Sequence, residues 1–278
     1  MDTSAMTQVG RVRARRLAKG SVTRGAARAG LAARGVIYLL VGILALRIAF
    51  GDGRQQADRS GAVAEIAAEP FGAVLLWGLG TGLAGMALWR LSEALFGSVG
   101  PDGRKATKRL QAVTRSVFYA FVAYSVLSFA AGSGGGGRSS DEQSRDVTAE
   151  ALGMPAGQWI VGAAAAGIVV AGLWIGVRAV RRDFRDQFEP GGMSPRVRRL
   201  VDVTGVAGGA ARGVVFAAAG GFAARAAVDY RPDRAKGLDD TLRSFADTPF
   251  GPWLLVLVAA GLALFGLFSF ALARWRMV

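Results

Sequence analysis

Hydrophobic positions in this chain are gathered into six long runs instead of alternating with polar ones. The runs cover approximately residues 31–50, 71–91, 113–131, 156–177, 206–226 and 250–273. Each approaches the ~20 residues that a helix rising 1.5 Å per residue needs to cross a ~30 Å hydrocarbon layer. Charged residues fall almost entirely between the runs. The pattern therefore predicts an all-α polytopic membrane protein with six transmembrane helices.

The runs are paired, and the pairs repeat. Arg34, Arg115 and Arg212 each open the first run of a pair, at spacings of 81 and 97 residues. A small residue follows each (Gly35, Ser116, Gly213), and the fourth residue after each is aromatic: Tyr38, Tyr119 and Phe216. The second run opens on Pro-x-Gly, at Pro70, Pro155 and Pro249. Twelve residues after each proline stands Gly82, Gly167 or Gly261, and nineteen after stands Trp89, Trp174 or Phe268. Agreement at this many offsets predicts internal triplication. The fold expected is three parallel-repeat helical hairpins at 29–95, 108–180 and 203–277, preceded by a basic N-terminal segment, 1–28.

Local signals refine the ends. Proline suits the first position of a helix, where its missing N–H has no partner to lose. Thr248 is placed to cap the last helix, and Ser60, Asp146 and Asp239 to cap a short helix before each Pro-x-Gly. Residues 61–68 suit a helix lying in the interface, with Glu65 on its polar side. Glu150 holds the equivalent place in the second unit and Ser244 in the third. Glycine at 132 and 134–137 marks a flexible linker. Gly78 and Gly82, like Gly172 and Gly176, stand four apart, the spacing that lets membrane helices approach closely.

Charge sets the expected orientation. Lysine and arginine number 24 in the terminal segments and the 2–3 and 4–5 loops, against 10 in the other three loops. The positive-inside rule then places both termini in the cytoplasm of a multi-pass plasma-membrane protein. The net charge of +14 is mainly this asymmetry. Nucleic-acid binding is not expected, since no soluble basic module with stacking groups is present. Arg15-Arg16 carries positive-inside charge and resembles an export signal only faintly. Cysteine and histidine are absent, which removes disulfides, thiolate nucleophiles, Cys/His zinc sites and an imidazole base. No cofactor is expected, and a carboxylate-only cation site is the metal chemistry left open, with Glu65 and Glu150 as candidates.

The repeated arginines are the candidate contacts for an anion or a lipid headgroup. Each enters a helix where an unpaired charge costs up to ~3 kcal/mol at mid-membrane and less near the interface. The aromatic one turn on offers a cation–π contact. Snorkelling toward the interface is one role for them, and a shared anion site among the hairpins is the other. Glu93, beside Arg90, is expected to form a local ion pair.

Ala33-Arg34-Gly35-Val36-Ile37-Tyr38, Pro70-Phe71-Gly72 and Gly82-Leu83-Ala84-Gly85 with Leu88-Trp89-Arg90 together resemble a bacterial membrane family, domain of unknown function 1206. The family is found mainly in actinobacteria and built from tandem two-helix units. The likeness covers residues ~25–277, with weaker echoes in units two and three. It implies location and architecture and brings no activity with it. The expected function is a non-enzymatic scaffold or accessory role in the membrane, with membrane lipids as partners. A small transporter or channel for an anion or anionic lipid, running along the axis between the hairpins, is the alternative.

Overall fold

The computed structural model describes residues 21–51, 56–97, 106–132, 139–188, 193–248 and 250–276. The segment up to residue 20 with its paired arginines, the glycine run from 134 on, and Pro249 lie outside the described residues. Within them the chain forms nine α-helices and two short 3-10 turns. Six are long and apolar enough to cross a membrane: α1 (Ser21–Ala49), α3 (Gly72–Phe96), α4 (Ala106–Ala130), α6 (Gly157–Val180), α7 (Pro195–Val228) and α9 (Gly251–Trp275). Short helices α2 (Arg59–Ala68), α5 (Ser140–Leu152) and α8 (Leu238–Ala246) sit inside the three hairpins.

The odd-numbered spans α1, α4 and α7 begin well before their apolar runs. They start at 21, 106 and 195, where the hydrophobic pattern starts near 31, 113 and 206. Helix propensity in the arginine- and alanine-rich leaders carries the helices on beyond the apolar layer. Arg34, Arg115 and Arg212 therefore lie two to five turns inside continuous helix.

Pro-x-Gly is a turn and not a helix start. Gly72, Gly157 and Gly251 each donate N–H to the carbonyl three residues back, at 2.8, 2.9 and 2.7 Å. Phe71 and Ala156, at the third position of the first two turns, have φ of 66° and 61°, the left-handed geometry of a type II turn. Glycine is required next because the end of the short helix folds back on it. A Cβ on Gly72 would stand 2.3 Å from the Ile66 carbonyl, and one on Gly251 1.8 Å from that of Ala246. Thr248 does not cap α9; its hydroxyl bonds to the Phe245 carbonyl, inside the same turn. The short helices are capped by Asp58, Ser139 and Gly237, so Ser60, Asp146 and Asp239 fall inside their first or second turns. Each chain reversal shifts the helix start by a residue or more from the nearest polar side chain.

The six long helices pack in the order α4–α3–α1–α9–α7–α6. Each odd-start helix leans on the second helix of a neighbouring unit through one repeated contact. The small residue after the arginine meets the residue seventeen after the proline. A Cβ on Gly35 would lie 3.0 Å from the Gly266 carbonyl, and one on Gly213 2.7 Å from that of Gly172. In the third copy Ser116 donates to the Ala87 carbonyl at 2.9 Å. The within-unit hairpins also close for units one and three, but α4 and α6 of unit two are not a packed pair. At that end the ring of six is open.

Apolar clusters fill the rest. Val41, Leu44, Val215, Leu255, Val258 and Leu262 form a core between α1, α7 and α9. Leu76, Leu79, Leu83, Val122 and Val126 join α3 to α4.

Replacing Gly72 with alanine is expected to lower stability by about 1–3 kcal/mol through overpacking against Ile66. Gly78→Ala, where nothing stands within 4 Å, is expected to stay within about 1 kcal/mol of the parent. Thermal unfolding in detergent compares them, and matching midpoints would contradict the turn's role.

Candidate functional site

The arginines lie one residue before the close helix contacts, so the packing aims them at the position twenty after a neighbouring proline. For Arg34 that position is Ser269, whose hydroxyl accepts from Nε at 3.2 Å. For Arg115 it is Arg90, and for Arg212 it is Ile175. The repeat is thus regular in backbone and irregular in chemistry: a hydroxyl, a second cation and a hydrocarbon.

Aromatic rings fill the space between them. Phe265 of α9 carries two guanidiniums, Arg34 at 5.2 Å and Arg212 at 5.1 Å from its centroid. Arg212 also faces Phe216 at 5.2 Å and Tyr38 at 5.7 Å. Tyr38 stands edge-on to Phe265, with centroids 4.8 Å apart. The expected contact between each arginine and its own aromatic one turn on is made in the third unit only. Tyr38 instead serves Arg212, and Tyr119 reaches across to Arg34 with Arg212 and Arg90 near. The rings point along the interfaces between units, so they meet a neighbour's charge before their own.

Arg90 and Arg276 extend the cluster. They sit over Trp89 at 4.2 and 4.9 Å. Arg90 binds Glu93 at 2.6 Å, the local ion pair expected from the sequence. Arg115 feels the charges of Arg90 and Arg212, and it is exposed. Five guanidiniums therefore share one end of the bundle, with Glu93 already engaged. Arg34 Nη2, Arg90 Nε and Arg212 Nε are buried and have no hydrogen-bond partner among the described residues. A buried donor left unbonded costs about 1–3 kcal/mol, more when charged. A cation–π contact returns about 0.5–2 kcal/mol. The rings moderate the charge and leave the N–H groups unmet. An oxyanion would meet them, since guanidinium donors bind phosphate and carboxylate oxygens with strong, directional hydrogen bonds.

Arg276, Ser269 and Phe265 were not singled out by the sequence reading. Arg90, Ile175 and Ser269 do align twenty after each proline, which was the available signal. The repeat-defining Gly82 and Gly261 pack against Ala29 at 3.1 Å and Ala211 at 2.3 Å, counted from an added Cβ. Gly167 has nothing within 4 Å. Glu65 pairs with Arg47 at 2.9 Å, and Glu150 is exposed on α5.

At the opposite end the three short helices are tied in a ring. Asp58 accepts from Ser140 N–H at 2.8 Å, Asp141 from Asp240 N–H at 3.1 Å, and Asp239 from Ala57 N–H at 2.7 Å. Each unit thus binds the next and the third returns to the first. Gly237 fits here because a Cβ would lie 2.3 Å from the Ser140 carbonyl carbon. Asp141, Asp239 and Asp240 bring carboxylate oxygens within 4.8 Å of one another, a grouping that suits a hard, oxygen-seeking cation. Arg243 and Arg145 already pair with Asp239 and Asp240.

The family model described as Domain of Unknown Function (DUF1206) matches three times, at residues 29–97, 110–182 and 207–276. The chain belongs to that family. It is 32% identical over 244 residues to "Uncharacterized protein YxxB" of Bacillus subtilis (strain 168), covering 87% of each chain. No solved structure matches.

The aspartate ring has a distinct pH signature. Burial, with Asp240, Asp239 and Asp58 nearby, pushes Asp141 up to about 6. Burial would also raise Asp58, but hydrogen bonds from Ser60, Ser140 and Gly61 outweigh it and hold it below its ordinary value of 3.8. Asp141 therefore stabilises the fold below the ordinary carboxylate range, and that contribution is lost as pH rises through about 6. Asp58 acts oppositely: its contribution is present above 3.8 and lost as pH falls through its depressed value. Asp141→Asn keeps an oxygen for Asp240 N–H and cannot ionise. Its melting temperature is expected to stay level between about pH 5 and 7.5, where the parent's falls. Parallel curves for the two proteins would contradict this assignment.

Proposed function

We propose that this multi-pass membrane protein holds a phosphate-type anionic group among its arginines, in a non-enzymatic scaffold or accessory role. One observation carries the reading: three buried guanidinium donors in one cluster, from α1, α3 and α7, have no hydrogen-bond partner among the described residues. An oxyanion answers both the charge and the unmet N–H groups. Among the described residues at this end, no nucleophile–base pair or metal-ligand group is brought together. Conduction along the axis is the less favoured alternative, because Val41, Leu44, Val215, Leu255, Val258 and Leu262 fill the bundle beyond the arginines. The arginine end faces the cytoplasm in this reading, from the bias of 24 basic residues over 10.

Inorganic phosphate and phosphatidylglycerol are both expected to raise the melting temperature of the detergent-purified protein, as any ligand of the folded state does. The Arg34→Gln, Arg212→Gln double variant is expected to need about tenfold more of either, a loss of about 1.4 kcal/mol. If it responds as the parent does, the arginines do not hold the anion. Orientation has its own test in a chain without cysteine. A cysteine replacing Asp247 is expected to react with impermeant maleimide on intact cells, and one replacing Arg274 only after permeabilisation. The reverse pattern would invert the topology.

A further inference from the structure

The open edge of the ring is written into the second repeat. Units one and three close their hairpins with a glycine four residues before the arginine. A Cβ on Gly30 would lie 2.4 Å from Met86 Cβ, and one on Gly208 2.5 Å from Phe265 N. Unit two has Gln111 at that place. The residue just before the arginine is buried Ala33 or Ala211 in the closed units and exposed Thr114 in the open one. A long polar side chain and a β-branched one stand where two helix backbones need to touch, so α4 and α6 remain apart.

The facing surface of α6 shows the same break. Leu79, Gly82, Met86 and Trp89 are buried in unit one, and Val258, Gly261, Phe265 and Phe268 in unit three. Their equivalents Ala164, Gly167, Ala171 and Trp174 are all exposed, Trp174 to 59%. On α4, the other helix of the unit, Val117 is exposed at 64% and Phe118 at 58%. Unit two therefore has a lateral slot where the other units have a hairpin seam. The slot is apolar along its length and becomes polar at Gln111 and Thr114, next to the exposed Arg115. Arg115 in turn adjoins Arg90 and Arg212 of the anion cluster.

We infer that the anion held by the arginines is the headgroup of an anionic phospholipid, which enters sideways between α4 and α6 and leaves its acyl chain in the slot. This rests on the arginine cluster being an anion site, and it adds the source and the route. Two features select a lipid over free phosphate. The apolar slot is continuous with the cationic cluster, which matches the two halves of an anionic lipid. The slot also opens to the hydrocarbon layer instead of to water. Small side chains on α6 leave room for a chain at Ala164, Gly167 and Ala171, while Gln111 offers a hydrogen bond to the ester region; the Thr114 hydroxyl is spent on the Leu110 carbonyl. Arg115 lies at the junction and takes the headgroup first.

Gly167→Trp tests the route. It fills the slot at a site with no neighbour within 4 Å, a turn beyond Ala171 on the side away from the arginines, and Gly78→Trp is the control at an equally open glycine outside the slot. Native mass spectrometry after incubation with phosphatidylglycerol or phosphatidylcholine measures lipid retention, and a melting-temperature titration with inorganic phosphate measures the anion site alone. The expected result is retention of phosphatidylglycerol over phosphatidylcholine, about tenfold weaker in Gly167→Trp and unchanged in Gly78→Trp, with the phosphate response of both variants intact. If Gly167→Trp binds phosphatidylglycerol as the parent does while the Arg34→Gln, Arg212→Gln variant has lost it, the lateral route is overturned and the anion site stands. If phosphate binds and phosphatidylglycerol does not, a free anion is the ligand and the inference fails. If neither binds to the parent protein, the anion site itself is overturned.

Discussion

Backbone-close packing of helices from neighbouring repeats is the constraint on which the rest depends. Lipid is as apolar as leucine, so hydrophobic burial does not hold membrane helices together, and van der Waals contact at small residues must. Gly35 on Gly266 and Gly213 on Gly172 supply it twice, and Ser116 on the Ala87 carbonyl supplies a hydrogen-bonded version. The arginine precedes each small residue by one position, so a contact that fixes the small residue also fixes the direction of the arginine. Convergence of charge follows from packing geometry, with no need for attraction between the charges themselves.

Like charges brought together this way need compensation, and the bundle supplies it unevenly. Phe265 and Trp89 each carry two guanidiniums, and Glu93 neutralises Arg90. The opposite end runs the other way, with carboxylates of Asp58, Asp141 and Asp239 each accepting an N–H from another unit. Those bonds are to neutral backbone donors, and Asp239 and the adjoining Asp240 each also have an arginine. The aspartate ring is thus largely satisfied from within the chain, whereas the arginine cluster is not. That contrast, more than the number of charges, marks the arginine end as the place for a ligand.

Much of this was legible in the sequence because apolar run length and repeat offsets encode backbone geometry directly. The six spans, the packed hairpins of units one and three and the tight packing at Gly82 and Gly172 were read from spacing alone, whereas Gly78 and Gly176, read the same way, have nothing within 4 Å of an added Cβ. Helix starts were not, because the leaders before Arg34, Arg115 and Arg212 are helical without being apolar. Pro70 and Pro155 were read as opening a helix, whereas each opens a turn whose glycine is forced by a carbonyl from the preceding short helix. Within-helix spacing also misassigned Tyr38 and Tyr119, since it takes no account of a neighbour's arginine lying nearer. Arg276 was invisible for another reason: it lies at the end of the third unit with no counterpart among the repeated offsets, where its residue pairs with Phe188 and its guanidinium stands over Trp89.

The departure of the second unit is informative for the same reason that the repeat is. Ser116 in place of glycine reads as a weakening of the motif, yet its hydroxyl restores the contact through Ala87, so that interface is intact. Gln111 and Thr114 are the substitutions that matter, and they lie upstream of the repeated small residue. They leave Gly167, a residue that marks a helix crossing in the other two units, facing open space. A ring with three sound inter-unit seams and one missing hairpin seam opens sideways into the lipid layer, not along its axis. With the axis filled on one side of the arginines, the lateral opening is the route by which a membrane-borne group reaches them without breaking a packed interface.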